Sequence, residues 1–143
     1  MRAPFQVLII PYRKHENEFQ FFILKRSDDK YWQWIAGGGE DNETPNEAAI
    51  RETFEEIGLR KTELIKLESV CSIPVSHFPD LKLNANILTI PEFSFGVEII
   101  KGEEIILSDE HDEFKWVNYA EAERSLKWES NRKALKELMT VIQ

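Results

Sequence analysis

Residues 37–59 read GGGEDNETPNEAAIRETFEEIGL, three glycines and an acidic turn running into an amphiphilic segment. Thr44, Pro45 and Glu47 supply an N-cap hydroxyl, a proline at the first helical position and a carboxylate able to reach back to the cap. That is a capping box with a favoured first residue. Gly58 falls where a left-handed C-terminal residue is wanted, so the spacing predicts a helix over Pro45 to Ile57.

At 100° per residue, Glu56 lies about 40° to one side of Glu52 and Glu55 about 60° to the other, with Ala48 and Ala49 on the same face. Ile50, Phe54 and Ile57 project from the opposite face. The expectation is a helix that buries its aliphatic side and turns carboxylates and two small residues toward a ligand.

Residues 40–56 hold seven carboxylates, Glu40, Asp41, Glu43, Glu47, Glu52, Glu55 and Glu56, against the single base Arg51. Like charges at i,i+4, such as Glu52 and Glu56, destabilise a helix by roughly 0.2–0.5 kcal/mol per pair. Two accounts are open: a solvated acidic face that tolerates the repulsion, or a hard divalent cation bridging carboxylates to substrate phosphates. Arg51, four residues after Glu47 and four before Glu55, can hold a carboxylate in place from behind.

Beyond this stretch, 143 residues fit one domain, 1–143, with a proper core. A formal charge of -8 and a pI near 5.0 argue against a nucleic-acid surface, which normally shows as a basic patch. An acidic chain that handles phosphates needs a metal to mediate. Cys71 is the only cysteine, which excludes an intrachain disulfide, suggests a reducing compartment and reads as a buried strand residue. The apolar run Val7–Ile10 is too short to span a bilayer and lacks signal-peptide architecture, so a soluble cytoplasmic protein with no membrane partner is expected.

Phe5–Tyr12 and Glu18–Leu24 read as a hairpin across Lys14–Asn17. Arg2, Lys25 and Arg26 stand at its strand ends, as solvated charge or as a phosphate contact. Tyr31–Trp34 leads into Ile35–Ala36–Gly37, glycine allowing close approach of backbone to ligand, and reads as a strand that packs Trp32 and Trp34 on opposite faces. Further expectations are a strand within Glu63–Ser72, a loop over 73–91 ending in a strand around Asn84–Thr89, and a strand Phe93–Ile100. Then come an acidic cluster Asp109–Glu113, a strand Phe114–Val117, a helix Tyr119–Leu126 and a last helix capped by Ser130. Such an order implies an α/β (α+β) fold, a mixed sheet with helices on its faces.

Gly37, Glu43, Arg51, Glu52, Glu55, Glu56 and Gly58 fit the pattern G-x5-E-x7-R-E-U-x-E-E-x-G-U, where U is bulky and apolar; in this the chain resembles the Nudix hydrolases. Thr53 at the first U, and Ile35–Ala36 where many members have Pro-Gly, depart from it. Trp32–Gln33, Glu110–His111, Phe114–Trp116, Ser130–Arg132 and Ala134 are similar to the dihydroneopterin triphosphate or dATP pyrophosphohydrolase group of that family. The resemblance implies an α/β/α sandwich and Mg2+, with Mn2+ as a substitute, held by Glu52, Glu56 and Glu110. Glu55 is implied as a further ligand or base and Ala36 lies beside the ion. Arg51 belongs with the catalytic glutamates, and Arg2, Arg26, Ala36, Gly37 and Ser130 become candidate substrate contacts.

The implied reaction is attack of water on a bridging phosphorus of a small nucleotide or pterin triphosphate, releasing pyrophosphate, with Glu52, Glu55 or Glu110 as general base. A dinucleoside polyphosphate hydrolase and a non-catalytic Nudix-like nucleotide sensor are the alternatives. The assembly is left open, a homodimer included.

Overall fold

The computed structural model describes residues 2–28, 30–79, 81–109 and 111–143. Strands β1 (Arg2–His15) and β2 (Glu18–Arg26) form the expected hairpin, longer than its apolar runs alone suggest. Glu16 and Asn17 both carry positive φ, 50° and 66°, as a two-residue hairpin turn requires. Past Tyr12 and Phe21 the two strands splay apart, and the next segment fills the gap. There β3 (Trp32–Gln33) pairs β2 and β4 (Ile35–Glu40) pairs β1, both antiparallel.

Helix α1 (Pro45–Ile57) follows, with the bounds and capping box expected: Glu47 N–H donates to Thr44 Oγ1 and Thr44 N–H to the Glu47 carboxylate. Next come β5 (Ile65–Pro74), a 3-10 turn (Val75–His77), β6 (Thr89–Glu98), β7 (His111–Val117), α2 (Tyr119–Ser125) and α3 (Glu129–Ile142). The sheet runs β3-β2-β1-β6-β5, with β4 beside β1 and β7 beside β2, and β1 with β6 is parallel. It is therefore mixed, with helices on both faces, as expected. Among the described residues no helix is long and apolar enough to cross a membrane.

Strand alternation divides the core. Val7, Ile9, Phe22, Leu24, Ile35, Phe95 and Val97 pack toward Ala48, Ala49 and Ile57 of α1. On the other face Leu8, Ile10, Phe21, Ile23 and Trp34 meet Ala122 of α2 and Ala134, Leu135 and Leu138 of α3. A one-residue slip of β1 would exchange the two cores, so its register is fixed.

Four expectations are corrected. Trp32 and Trp34 pack toward one core cluster rather than opposite faces, because residues i and i+2 of an extended chain share a face. No strand covers Asn84–Leu88, where Asn84 Oδ1 instead accepts from Asn86 N–H. The strand starts at Thr89 and runs unbroken through Pro91, which sits opposite Ser72 of β5 just before pairing with β1 begins at Glu92, so its missing N–H costs that ladder nothing. Cys71 is half-buried on the edge strand β5. Ser130 is the second residue of α3, not its cap; Trp128 holds that position without a side-chain bond.

Gly58 closes α1 at φ 74°, its N–H bonded to the Phe54 carbonyl. Gly58→Ala is expected to lower stability by about 1–2 kcal/mol, since a side chain is disfavoured in that region. Urea unfolding of the two proteins checks it, and an unchanged midpoint would contradict it.

Candidate active site

Ala36 and Gly37 of β4 pair with Leu8 and Val7 of β1, so their outward directions fall on opposite faces of the sheet. Gly37 faces α1. A Cβ there would collide with the Glu52 carboxyl group. On the other side a Cβ at Gly38 would strike the Arg2 guanidinium. Two glycines thus let a carboxylate and a guanidinium close on one strip of backbone.

The face that α1 buries is not the aliphatic one expected. Ala48, Ala49, Glu52, Thr53, Glu56 and Ile57 are buried, whereas Phe54 is 43% exposed under the Arg60 guanidinium, 4.6 Å from its ring centre. The small alanines bring the helix close to the sheet, and the carboxylates are carried inward with them. Thr53, where the family motif has an apolar residue, donates its hydroxyl to the Ala49 carbonyl at 2.7 Å and so leaves no buried polar group unmet.

Glu52 is 8% exposed and Glu56 4%. Burial, then the neighbouring charge of Glu55, push the Glu52 pKa up to about 7, against the opposing pull of Arg51; Glu56 adds a smaller rise. Glu56 Oε2 accepts the Ser108 hydroxyl at 2.9 Å and lies 2.9 Å from His111 Nδ1, without the alignment of a hydrogen bond. Glu55 remains half exposed.

Arg51 ties the strip to the helix. Its Nε and Nη2 donate to both oxygens of Glu43 at 2.8 and 2.9 Å, Nη2 also reaches the Gly38 carbonyl at 2.9 Å, and Nη1 reaches Glu52 at 3.0 Å and Glu55 at 3.3 Å. The hydrogen bonds from Arg51 hold the Glu43 carboxyl below its ordinary range. Glu43 in turn accepts from Glu40 N–H at 2.8 Å.

Beside the strip, on the Ala36 face, lies a cavity of about 560 Å³. Gln6, Leu8, Ala36 and Glu92 line it from the sheet, Arg26 and Tyr31 from one end, His77 and Phe78 from the 75–88 loop, and Trp128 and Ser130 from the start of α3. Arg2 reaches its edge, 4.7 Å above the Phe78 ring and bonded to Gln6. Burial lowers the Arg2 pKa, which the charge of Glu52 partly offsets, and its Nε is buried with no hydrogen-bond partner among the described residues. Asn131 fixes the adjoining wall, accepting Trp34 N–H at 3.0 Å on Oδ1 and the indole N–H at 2.9 Å on its carbonyl.

The sequence candidates therefore fall into two groups. Glu52, Glu55, Glu56, Arg51 and Gly37 meet on the α1 face; Ala36, Arg26 and Ser130 face the cavity, with Arg2 between. Glu110 lies outside the described residues. Among the described residues no three His, Cys, Asp or Glu side chains stand together as a finished ligand set. The donors nevertheless suit a hard cation: Glu52 and Glu56 are buried carboxylates, and Glu52 is raised by the charges of both Glu55 and Glu56, which a divalent ion would offset. Sequence reasoning missed Glu92 because it began the strand at Phe93. The signal was the step Glu92, Ser94, Gly96, three polar or small residues on one face of a central strand.

A raised carboxyl pKa means that the folded chain binds the Glu52 proton more tightly than the unfolded chain does. Stability from this group is present below pH about 4.5 and is lost as pH rises through about 7. In chelator, the stability of wild type relative to Glu52→Gln is expected to fall by about 3 kcal/mol between pH 4.5 and pH 8. Denaturant unfolding across that range checks it, and a flat difference would contradict it.

A family model described as the NUDIX domain matches residues 3–138. The dihydroneopterin triphosphate diphosphatase of Haemophilus influenzae is 35% identical over 138 residues, 93% of this chain and 85% of that protein. Among solved structures, a NUDIX hydrolase from Listeria monocytogenes superposes with a TM-score of 0.84 at 42% identity, covering 95% of this chain and 92% of that one. The E. coli dihydroneopterin triphosphate pyrophosphohydrolase superposes at 0.81 with 25% identity, covering 98% and 97%. With the motif glutamates gathered at the glycine strip and the match running nearly end to end, the chain belongs to the Nudix hydrolases, enzymes that act on phosphoanhydride bonds.

Proposed function

We propose that this chain, as a single domain over 1–143, is a Mg2+-dependent pyrophosphohydrolase that cleaves a small nucleoside or pterin triphosphate to the monophosphate and pyrophosphate. The observation that carries the reading is the buried Glu52 carboxylate, seated where Gly37 has no side chain, with a cavity sized for a heterocyclic head group on the other face of the same strand. The relatives named for dihydroneopterin triphosphate favour the pterin or a related nucleotide.

Glu52, Glu56 and Glu110 would hold the cation, with Ala36 contributing through its backbone. Mg2+, or Mn2+ in its place, screens phosphate oxygens and lowers the pKa of a bound water. The residues of the chain do the rest. With Glu52 and Glu56 turned inward, Glu55 is, among the described motif glutamates, the one left to accept the proton of the attacking water, and the 3.3 Å contacts from Arg51 orient it. Arg51 is a positioning residue: its fork holds Glu43, the Gly38 carbonyl and Glu52 in one frame. Arg2, at the cavity edge over Phe78, and Arg26, in the cavity lining, would pair with phosphate oxygens, as guanidinium groups do. Tyr31, His77, Phe78 and Trp128 give the head group a flat apolar berth.

A panel of dihydroneopterin triphosphate, the deoxynucleoside triphosphates and diadenosine tetraphosphate, with Mg2+ or Mn2+ and product identification, tests this. Pyrophosphate with a monophosphate is the expected product. Orthophosphate from triphosphates, ATP from diadenosine tetraphosphate as the favoured product, or nucleotide binding without turnover would overturn it. Glu56→Gln is expected to lower kcat by several orders of magnitude while the fold survives, because it removes a charge from the Glu52–Glu56 pair. Steady-state kinetics with circular dichroism reads both, and full activity or unfolding would refute the role of Glu56.

A further inference from the structure

A charged group in the cavity has no part in cleaving the anhydride. Glu92 of β6 is 6% exposed, in register with Gln6 of β1 and Cys71 of β5, and lines the cavity beside Ser130. Its Oε1 is buried and, among the described residues, meets no hydrogen-bond donor. Burial pushes its pKa up, and the neighbouring Ser130 side chain offsets only part of that. A buried carboxyl oxygen without a donor is costly and stands out in a folded chain. It is a place where a ligand's N–H would be welcomed.

The surrounding walls define the shape of that ligand. Tyr31 stands edge-on to Trp128 at 5.5 Å, His77 lies 6.3 Å from Trp128, and Phe78 closes the loop side. Rings so placed accept a flat heterocycle. An ionised carboxylate only accepts, and its two oxygens match two adjacent N–H groups. An amino group next to a ring N–H offers that pair; this is the 2-amino-4-oxopyrimidine edge shared by guanine and pterins. Adenine sets an amino donor next to a ring acceptor, whose lone pair would face the carboxylate.

We propose that Glu92 is a specificity-determining residue, taking the paired N–H donors of a 2-amino-4-oxopyrimidine head group and disfavouring adenine. The proposal rests on the hydrolase reading above, with the head group in the cavity and the phosphates toward Glu52. Gln6, next to Glu92 on the floor and bonded to Arg2, links the two ends.

The test compares dGTP, dihydroneopterin triphosphate, dITP and dATP with wild type and Glu92→Gln, reading kcat/KM. Wild type is expected to favour dGTP or the pterin over dATP and over dITP, which lacks the amino group, by at least about tenfold. Glutamine offers one donor and one acceptor, so Glu92→Gln is expected to reduce the dGTP-to-dATP and pterin-to-dATP ratios by about 10- to 100-fold. Whichever donor-edge substrate is turned over faster identifies the source. Preference for dATP, equal use of dITP and dGTP, or a variant that slows all substrates alike overturns the proposal. Should the variant unfold, the dITP comparison with wild type decides. Should no triphosphate be cleaved, the hydrolase reading fails separately. Calorimetric Kd values of dGMP, dIMP and dAMP in chelator then decide, a tenfold preference for dGMP supporting Glu92 and equal affinities refuting it.

Discussion

The close approach of the Glu52 carboxylate to the backbone of Gly37 constrains everything around it. It requires a glycine at one position of β4, small residues at Ala48 and Ala49 so that α1 can lie near the sheet, and positive charge to offset the carboxylates that are buried. Arg51 supplies part of that offset and spends the rest of its donors on Glu43 and the Gly38 carbonyl, which fixes strand, turn and helix relative to one another. Burying like charges opposes stability, and the raised Glu52 pKa is its signature. Perturbed carboxylates of this kind cluster at functional sites, which makes Glu52 a candidate for one.

Strand alternation then gives the site its two compartments. Gly37 turns to α1 and the carboxylates, while Ala36 and the floor residues Gln6 and Glu92 turn to the face shared with α3. Between them Arg2 is packed on Gly38. On the proposed function, the separation gives anhydride chemistry to the glutamates and head-group choice to the cavity.

Much of this was legible in the residues themselves. The capping box at Thr44, the left-handed Gly58 and the spacing from Gly37 to Gly58 identified helix, bounds and family, because each is a local signal with one physical cause. The buried face of α1 was not legible. Periodicity rules equate the aliphatic face with the core, and here Phe54 points outward while charge points in, since the small side chains of Ala48 and Ala49 bring that face of α1 close to the sheet. Pro91 misled in a similar way: it marks an interruption only where its N–H would have been used, and β6 carries it just outside the ladder with β1. Glu92 was hidden because its importance depends on long-range pairing with β1 and on Ser130, 38 residues further on.

Whether Glu52 and Glu56 share a cation is what the account depends on. Anomalous diffraction from crystals soaked in Mn2+ addresses that directly. The account predicts a peak within coordination distance of Glu52 and Glu56 carboxylate oxygens, on the α1 side of Gly37. A peak elsewhere, or none at saturating Mn2+ with both carboxylates unshifted, would contradict it.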